Sequence, residues 1–211
     1  MTEIVLIRHG ETDWNREEIF RGHADIPLNK TGLRQAGLLS QHLSGKKLEA
    51  VVSSPLKRAL VTTEIIARPH GIAPEVADGL IDFDYGRWQG LSHADVKEKY
   101  SAQYSRWLTS PHLVRIPDGE RLNDVRKRAL PVIANIVERF PNGIVAIVSH
   151  RVVLKVLICA LLGIGDKNFW NIQIDNCGVT TFVHDGGRFI LTSHNDMSFL
   201  KTLEKTSSRD F

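Results

Sequence analysis

The sequence predicts an α/β fold, a three-layer sandwich in which a mostly parallel central sheet is flanked by helices. Two observations lead to this fold class. Short runs of β-branched and aliphatic residues alternate with longer segments of helical periodicity, which is the pattern of βαβ units. In addition, the run Ile4-Val5-Leu6-Ile7 contains no polar residue, as expected for a central strand that is buried on both faces.

The individual elements are assigned from apolar runs, periodicity and the residues that end each segment. Strands are predicted at 4–7, 50–53 and 144–148, and an antiparallel hairpin at 179–183 and 189–192 around Asp185-Gly186-Gly187. Helices are predicted at 31–43, 55–68, 120–140 and 152–162. Pro131 lies inside the third helix and predicts a kink or a break, whereas the fourth helix is apolar almost all round and should be buried.

The segment 91–117 interrupts this alternation. It contains short polar helices and a Ser110-Pro111 turn, so we interpret it as a helical insertion that covers one end of the sheet and the site located there. The chain has no repeat and no low-complexity linker. We therefore expect residues 1–211 to form a single domain.

The composition is that of an ordinary globular protein, which excludes disordered, collagenous and coiled-coil chains. The 211 residues include 27 Lys and Arg against 24 Asp and Glu, a formal charge of +3 with nine neutral histidines. These basic residues are scattered between acidic ones and form no stripe, as in Arg16-Glu17-Glu18. We therefore expect no nucleic-acid partner.

The cysteines and the apolar segments indicate a cytoplasmic protein without a membrane partner. Cys159 and Cys177 form no C-x-x-C pair and lie in apolar surroundings, which is typical of buried, reduced thiols. The longest apolar stretch, near 156–162, is far shorter than the roughly 20 residues of a membrane helix. The first strand begins within a few residues of Met1, so no signal peptide or anchor is expected.

Polar clusters come directly after three of the predicted strands. Because the carboxyl ends of parallel strands meet at one edge of a sheet, where ligands bind in open α/β folds, we expect these clusters to share a pocket. Two arginines and two histidines in one cavity suit a phosphate dianion, and a helix starting at Pro55 would direct its N-terminal dipole there. The clusters are Arg8-His9-Gly10, Ser53-Ser54-Pro55 with Arg58, and Ser149-His150-Arg151.

The motifs of three other site types do not occur in the sequence. There is no H-E-x-x-H zinc motif, no phosphate-binding G-x-x-x-x-G-K and no dinucleotide-binding G-x-G-x-x-G. We therefore expect neither a metal nor an organic cofactor, and the ligand is expected to be a small phosphorylated metabolite.

Several further blocks succeed one another along nearly the whole chain. They are Ile7-Arg8-His9-Gly10-Glu11-Thr12 with Trp14-Asn15, Gly22-His23-Ala24-Asp25-Ile26-Pro27-Leu28, Ser53-Ser54-Pro55-Leu56-Lys57-Arg58-Ala59, Asp84-Tyr85-Gly86-Arg87-Trp88-Gln89-Gly90 and Val148-Ser149-His150. On these blocks the chain resembles the histidine phosphatase superfamily, in its phosphoglycerate-mutase-like branch. Blocks near the carboxyl terminus, such as Phe169-Trp170 and His194-Asn195-Asp196, are most similar to metal-independent phosphoserine phosphatases and α-ribazole phosphatases.

The resemblance implies a phosphoglycerate-mutase-like fold and a role for each matching residue. His9 would be the nucleophile that forms a phosphohistidine, which water then hydrolyses. Arg8, Arg58 and His150 would hold the equatorial oxygens of the transferring phosphoryl group. Further candidate substrate-binding residues are Asn15, the backbone at Gly22, Arg21 where the family commonly has glutamine, and Arg151.

One departure concerns the acid that protonates the leaving alcohol and then activates water. The family commonly has a glutamate four residues before the glycine of the D-[FY]-G-x-W block, and this chain has Asp82 there. The aspartate arm is one methylene shorter, so either the backbone lies closer or the proton travels through water. Asp82 is the favoured general acid and base, and Asp84 is the competing candidate. Arg151 either recognises a second anionic group of the substrate or points to solvent.

The function expected from these residues is that of a phosphomonoesterase. A cofactor-dependent phosphoglycerate mutase is one alternative, but it needs a longer lid than the segment between Gly90 and Asp118 offers. A catalytically silent phosphate-binding module is another, although the chain keeps both histidines. A homodimer is also considered, because an apolar edge strand at 179–183 would be able to pair with a second copy.

Overall fold

The computed structural model describes residues 1–201, in which six strands form one mixed sheet. The strands are β1 (Thr2–Arg8), β2 (Leu48–Ser53), β3 (Glu75–Val76), β4 (Ile144–Ser149), β5 (Val179–Asp185) and β6 (Arg188–Asp196). Their order across the sheet is β3-β2-β4-β1-β5-β6. The first four are parallel to one another, β5 is antiparallel to β1, and β6 is antiparallel to β5.

Helices cover both faces of this sheet. The α-helices are α1 (Asp13–Arg16), α2 (Lys30–Leu43), α3 (Lys57–Ala67), α4 (His93–Lys99), α5 (Ser101–Thr109), α6 (Leu122–Arg139) and α7 (Arg151–Leu161). Short 3-10 helices occupy Arg68–His70, Asp78–Leu80, Gly86–Trp88, Pro111–Leu113, Asp166–Asn171 and Ser198–Leu200. The predicted three-layer α/β fold with a mostly parallel sheet is confirmed.

The alternation of side chains along β1 explains why its central residues 4–7 are all apolar. Ile4 and Leu6 point into a core that contains apolar residues of α6 and α7, whereas Val5 and Ile7 point into a core formed with α2 and α3. All four side chains are at most 1% exposed. A strand in the middle of a sheet with helices on both faces has no solvent side, and this is why the polar residues of β1 lie only at its two ends.

Three details of the predicted elements differ in the structure. α6 continues through Pro131, so the alternative of a break is wrong; Pro131 lies on the exposed side of the helix, where water can bond the carbonyl that proline leaves unpaired. α3 begins at Lys57, two residues later than predicted, and its first N–H donates to Asp25 Oδ1 at 2.8 Å. The segment 179–183 is not an edge, because β5 pairs with β1 on one side and β6 on the other.

The segment 91–117 forms α4, α5 and the short helix Pro111–Leu113, and it is tied to the core by aromatic side chains. Trp107 of α5 is buried, and its ring centroid lies 5.5 Å from that of Phe83 and 6.1 Å from that of Tyr85. The insertion therefore packs against the loop immediately after Asp82.

Two other expectations concern the cysteines and membrane association. Cys159 and Cys177 are both buried free thiols, as predicted. Within residues 1–201, no helix has both the length and the apolar character needed to cross a bilayer.

Candidate active site

The three polar clusters converge where β1, β2 and β4 end side by side. Arg8 of β1 is paired in register with Ser149 of β4, and Ser53 of β2 is paired with Val148. The residues after these strands therefore emerge at one edge of the sheet. As a result, the ring centroids of His9 and His150 lie 5.1 Å apart, although 141 positions separate them in the sequence.

Among the described contacts, the His9 ring has a hydrogen bond at only one of its two nitrogens. Its Nδ1 lies 2.7 Å from the carbonyl oxygen of Gly10. Because a carbonyl only accepts, Nδ1 carries the ring hydrogen and Nε2 has the lone pair. The pKa of His9 lies well below 6.5, mainly because the ring is buried and secondly because the positive charge of Arg58 is nearby. A neutral imidazole with its lone pair on Nε2 is the form required of a nucleophile.

His150 precedes α7, is fully buried and has hydrogen-bond contacts at both ring nitrogens. Its Nδ1 lies 3.3 Å from Arg58 Nε, and its Nε2 lies 2.6 Å from the hydroxyl of Ser54. Because the guanidinium only donates, Nδ1 is the acceptor and Nε2 donates to Ser54. Burial, followed by the charge of Arg58, lowers the pKa of this histidine well below 6.5 as well.

Arg58 and Asp82 form a buried ion pair beside the two histidines. Arg58 Nη2 donates to Asp82 Oδ2 at 2.8 Å, and the same carboxylate oxygen lies 3.5 Å from His150 Nδ1. The Arg58 guanidinium also donates to the carbonyl oxygens of Gly22 and Ala24, at 2.8 and 2.7 Å. The structure thus brings Asp82 into the cluster, with its carboxylate against both an arginine and a histidine.

Asp84, the competing candidate for the general acid, has a structural role in the loop. Its Oδ1 accepts the N–H of Gly86 at 2.8 Å. Its own N–H donates to Glu120 at 2.9 Å. Capping of a turn by the side chain of an aspartate two residues earlier is a common local motif, so the geometry favours Asp82 over Asp84.

The other predicted phosphate contacts lie around this cluster. Arg8 is buried and donates through Nη1 to the carbonyl of Ile174 at 2.9 Å. Asn15 is buried in α1, and its side-chain oxygen accepts the N–H of Thr12 at 2.9 Å. Gly22 has a φ of +53°, which other residues rarely adopt, and an added Cβ would lie 2.5 Å from Gln89 Oε1, so any other residue would be strained there.

Arg21 and Arg151 are buried arginines, and the positive charge of each acts on the hydroxyl of Tyr85. Arg21 donates through Nη1 to the carbonyl of Trp14 at 3.2 Å. The side chain of Arg151 hydrogen-bonds the hydroxyl of Tyr85, and burial raises the pKa of that hydroxyl to about 12. Arg21 is followed in the sequence by Gly22, whose carbonyl oxygen accepts from Arg58, and Arg151 directly follows His150. The expectation that Arg151 points to solvent is wrong, since it is only 7% exposed.

Several residues that support the site are not among the candidate site residues predicted from the sequence. Ser54 bonds His150, Thr62 Oγ1 accepts the N–H of Gly10 at 3.1 Å, and Asn176 donates to the carbonyl of His9 at 2.9 Å. Arg128 of α6 holds the loop before Asp82. Ser54 was detectable as part of the polar cluster after β2. The others lie inside helices or loops, where nothing in the local pattern distinguishes them from ordinary surface positions.

Comparison with known proteins agrees with this geometry. A family model of the histidine phosphatase superfamily (branch 1) matches residues 4–197. Phosphoserine phosphatase 1 of Hydrogenobacter thermophilus is 34% identical over 195 residues, which cover 92% of each chain. Adenosylcobalamin/alpha-ribazole phosphatase of Escherichia coli is 29% identical over 170 residues, 81% of this chain and 84% of that one. The solved structure of Bacillus stearothermophilus YhfR has a TM-score of 0.92 and 33% identity, and it covers 95% of this chain and 100% of that one.

The resemblance inferred from the sequence blocks is confirmed by these matches. Family and named relatives together assign the chain to the phosphoric monoester hydrolases. The match extends from β1 through β6, so it includes the ends of β1, β2 and β4, where the three polar clusters lie. The chain belongs to the histidine phosphatase superfamily, branch 1.

Proposed function

We propose that this protein hydrolyses a small phosphorylated metabolite through a phosphohistidine on His9. The observation that carries the proposal is the state of the His9 ring, neutral and with its lone pair on Nε2, beside two buried arginines. In the first step Nε2 bonds to phosphorus as the bond to the leaving alcohol breaks. In the second step water displaces His9, which releases inorganic phosphate and restores the free enzyme.

Buried positive charge stabilises the negative charge on the oxygens of the transferring phosphoryl group. Arg8 and Arg58 supply planar donors that match phosphoryl oxygens, in surroundings where water does not screen them. His150 is proposed to hold a further oxygen. Both of its ring nitrogens already have partners within the protein, so it must exchange one of them for the phosphoryl oxygen.

Asp82 is proposed to protonate the leaving alcohol and then to accept a proton from the attacking water. Because its carboxylate is paired with Arg58 in the free protein, the phosphoryl group must replace it at Arg58, and Asp82 then takes up from solvent the proton that it donates. Replacement by Asn removes the proton but keeps the shape. We expect Asp82→Asn to slow the hydrolysis of phosphoserine, which has a poor leaving group, by about a hundredfold or more. The loss on p-nitrophenyl phosphate should be much smaller, because nitrophenolate departs without protonation. Steady-state kcat on both substrates, with a chelator present, measures the difference.

The matched control is Asp84→Asn, two residues away in the same loop. We expect similar small changes on both substrates, since Asp84 caps a turn. Equal losses on the two substrates for Asp82→Asn would refute the acid role, and a selective loss for Asp84→Asn would assign that role to Asp84. A protein without turnover of any phosphomonoester would instead be the silent phosphate-binding module, and activity that requires added metal would refute the mechanism.

The proposed substrate carries a second anionic group that Arg151 recognises. Arg151 is buried, lies next to His150 in the chain and bonds the neutral hydroxyl of Tyr85. Phosphoserine and phosphoethanolamine differ only in a carboxylate, so they isolate this contact. We expect Arg151→Ala to reduce kcat/KM for phosphoserine by about tenfold, the value of one charged hydrogen bond, relative to phosphoethanolamine. An unchanged ratio would remove Arg151 from substrate selection.

A further inference from the structure

The loop that precedes Asp82 is fastened to α6 by a single arginine. Arg128 Nη1 donates to the carbonyl oxygens of Gly79 and Ile81, at 2.9 and 2.6 Å. Its Nη2 donates to the carbonyl oxygen of Asp82 at 2.9 Å. Three of the four backbone carbonyls of residues 79–82 therefore accept from one guanidinium.

The orientation of Arg128 is itself fixed by Glu120. Arg128 Nε and Nη2 donate to the two carboxylate oxygens of Glu120, at 2.8 and 3.0 Å. A guanidinium has five N–H donors, and these contacts engage all five. The same carboxylate accepts the N–H of Asp84 at 2.9 Å, so Glu120 and Arg128 together hold the backbone on both sides of Asp82.

The backbone of the loop 79–82 also packs closely against the backbone of α6. A Cβ on Gly79 would lie 2.3 Å from the carbonyl oxygen of Arg128, which only a glycine avoids. At the other end of the loop, Phe83 N–H donates to Asp82 Oδ1 at 2.8 Å, while Oδ2 faces Arg58. The carboxylate of Asp82 is thus positioned by its backbone, and that backbone is positioned by Arg128.

We infer that Arg128 is a positioning residue that sets where the carboxylate of Asp82 meets the substrate. The inference rests on the proposed role of Asp82 as proton donor. An aspartate has a short arm with few rotamers, so a backbone shift is transmitted to its carboxylate almost undiminished. A displacement of about 1 Å at a reacting group can cost up to a hundredfold in rate.

The test is Arg128→Lys, which keeps the positive charge but cannot form the planar five-donor contact. We expect kcat for phosphoserine to fall about tenfold, and kcat for p-nitrophenyl phosphate to fall less than about threefold. In the double variant Asp82→Asn/Arg128→Lys, the arginine substitution should add no further loss on phosphoserine, because the proton that it positions is already absent.

Arg126→Lys is the matched control. Arg126 lies two residues earlier on α6 and is paired with both carboxylate oxygens of Asp166, with no described bond to the loop 79–82. It should leave the ratio of the two rates unchanged. If Arg128→Lys does not fold, as judged by thermal melting, Glu120→Gln is the second variant. It weakens the contact between Glu120 and Arg128 while keeping the guanidinium, and it should give the same selective loss in smaller degree.

The results separate this inference from the proposed function. An equal loss on both substrates for Arg128→Lys, or a loss that adds to that of Asp82→Asn, overturns the positioning role while the acid role of Asp82 stands. If Asp82→Asn itself lacks the selective loss, the proposed proton donor has failed, and the positioning role fails with it.

Discussion

The ends of β1 and β4 carry two histidines with opposite arrangements of hydrogen bonds. Both rings are buried, both have a pKa lowered by burial and by Arg58, and they lie 5.1 Å apart. His9 is bonded to Gly10 through Nδ1, which leaves the lone pair on Nε2. His150 is bonded at both nitrogens, to Arg58 and to Ser54. The same residue type in nearly the same environment is therefore suited in one case to react, whereas in the other it can contact a phosphoryl oxygen only by giving up a bond within the protein.

The difference arises from the chain segment after each strand. After β1 the chain continues as a loop, and Gly10 passes so close to Gly32 that an added Cβ would lie 2.6 Å from the Gly32 carbonyl oxygen. After β4 the chain enters α7 directly, and His150 is the residue that precedes its first turn. Its ring faces Ser54 and Arg58, both of which lie just beyond the neighbouring strand β2. A histidine between two such neighbours has little freedom to change its orientation.

The largest expected effect tests whether His9 alone is the reactant. His9→Ala removes the nitrogen that bonds to phosphorus, so kcat should fall at least about a thousandfold on every phosphomonoester. No acid-labile phosphoenzyme should form after rapid quenching with labelled substrate. The control is His112→Ala, which replaces an exposed histidine of the insertion. A phosphoenzyme that survives in His9→Ala would mean that the two histidines have been assigned the wrong way round.

A smaller effect is expected at Ser54, where the hydroxyl is the partner that holds His150 Nε2. Ser54→Ala leaves that buried N–H without its acceptor, which costs about 1–3 kcal/mol. If the Ser54 hydroxyl holds His150 in the tautomer and orientation from which its Nε2–H reaches the phosphoryl oxygen, kcat should fall about tenfold on both phosphoserine and p-nitrophenyl phosphate. Ser53→Ala is the control, since its hydroxyl donates to the Ser54 carbonyl instead. An unaltered kcat in Ser54→Ala would show that the orientation of His150 does not limit the reaction.

The smallest effect concerns stability as a function of pH. In the unfolded chain both histidines titrate near 6.5, whereas in the folded protein their pKa values are lower. Below pH 6.5 the unfolded state therefore binds more protons, and the free energy of unfolding decreases as the pH falls. Each histidine contributes up to about 1.4 kcal/mol per pH unit, until the folded-state pKa is reached.

Urea unfolding at pH 7.5, 6.5 and 5.5, in buffers without phosphate, measures this dependence. The slope should be shallower in His9→Ala than in the natural sequence, because one of the linked protons is lost. Parallel curves for the two proteins would mean that His9 has an ordinary pKa in the folded state. That result would also remove the reason for expecting a neutral His9 well below pH 6.5.

Much of the candidate site is predictable from the sequence because its groups lie at or just after strand ends. Arg8, His9 and His150 lie at or directly after the ends of apolar strands, and Arg58 lies in the first turn of the next helix. The order of strands in a parallel sheet then brings them together without any knowledge of side-chain contacts. Asp82 was found only through the family pattern, since no strand or periodic helix marks its loop.

The supporting contacts were not predictable, because they join residues far apart in the sequence. Arg128 lies 46 positions from Asp82, and Ser54 lies 96 positions from His150. In the local pattern, Arg128 is one of several basic residues on an amphipathic helix. The edge of the sheet was misassigned for a similar reason, since a hairpin pattern does not tell which of its two strands pairs with β1.

By itself, the sequence determined the three-layer fold, the strand ends that meet and the phosphate-binding residues expected there. Periodicity and apolar runs are local properties, and polar residues mark the end of each strand. Only the tertiary structure decided which nitrogen of each histidine is bonded, how Arg151 is buried against Tyr85 and how Arg128 fastens the loop of Asp82. Those outcomes depend on distances between side chains that reach one another across separate elements, and such distances are set when the helices pack on the sheet.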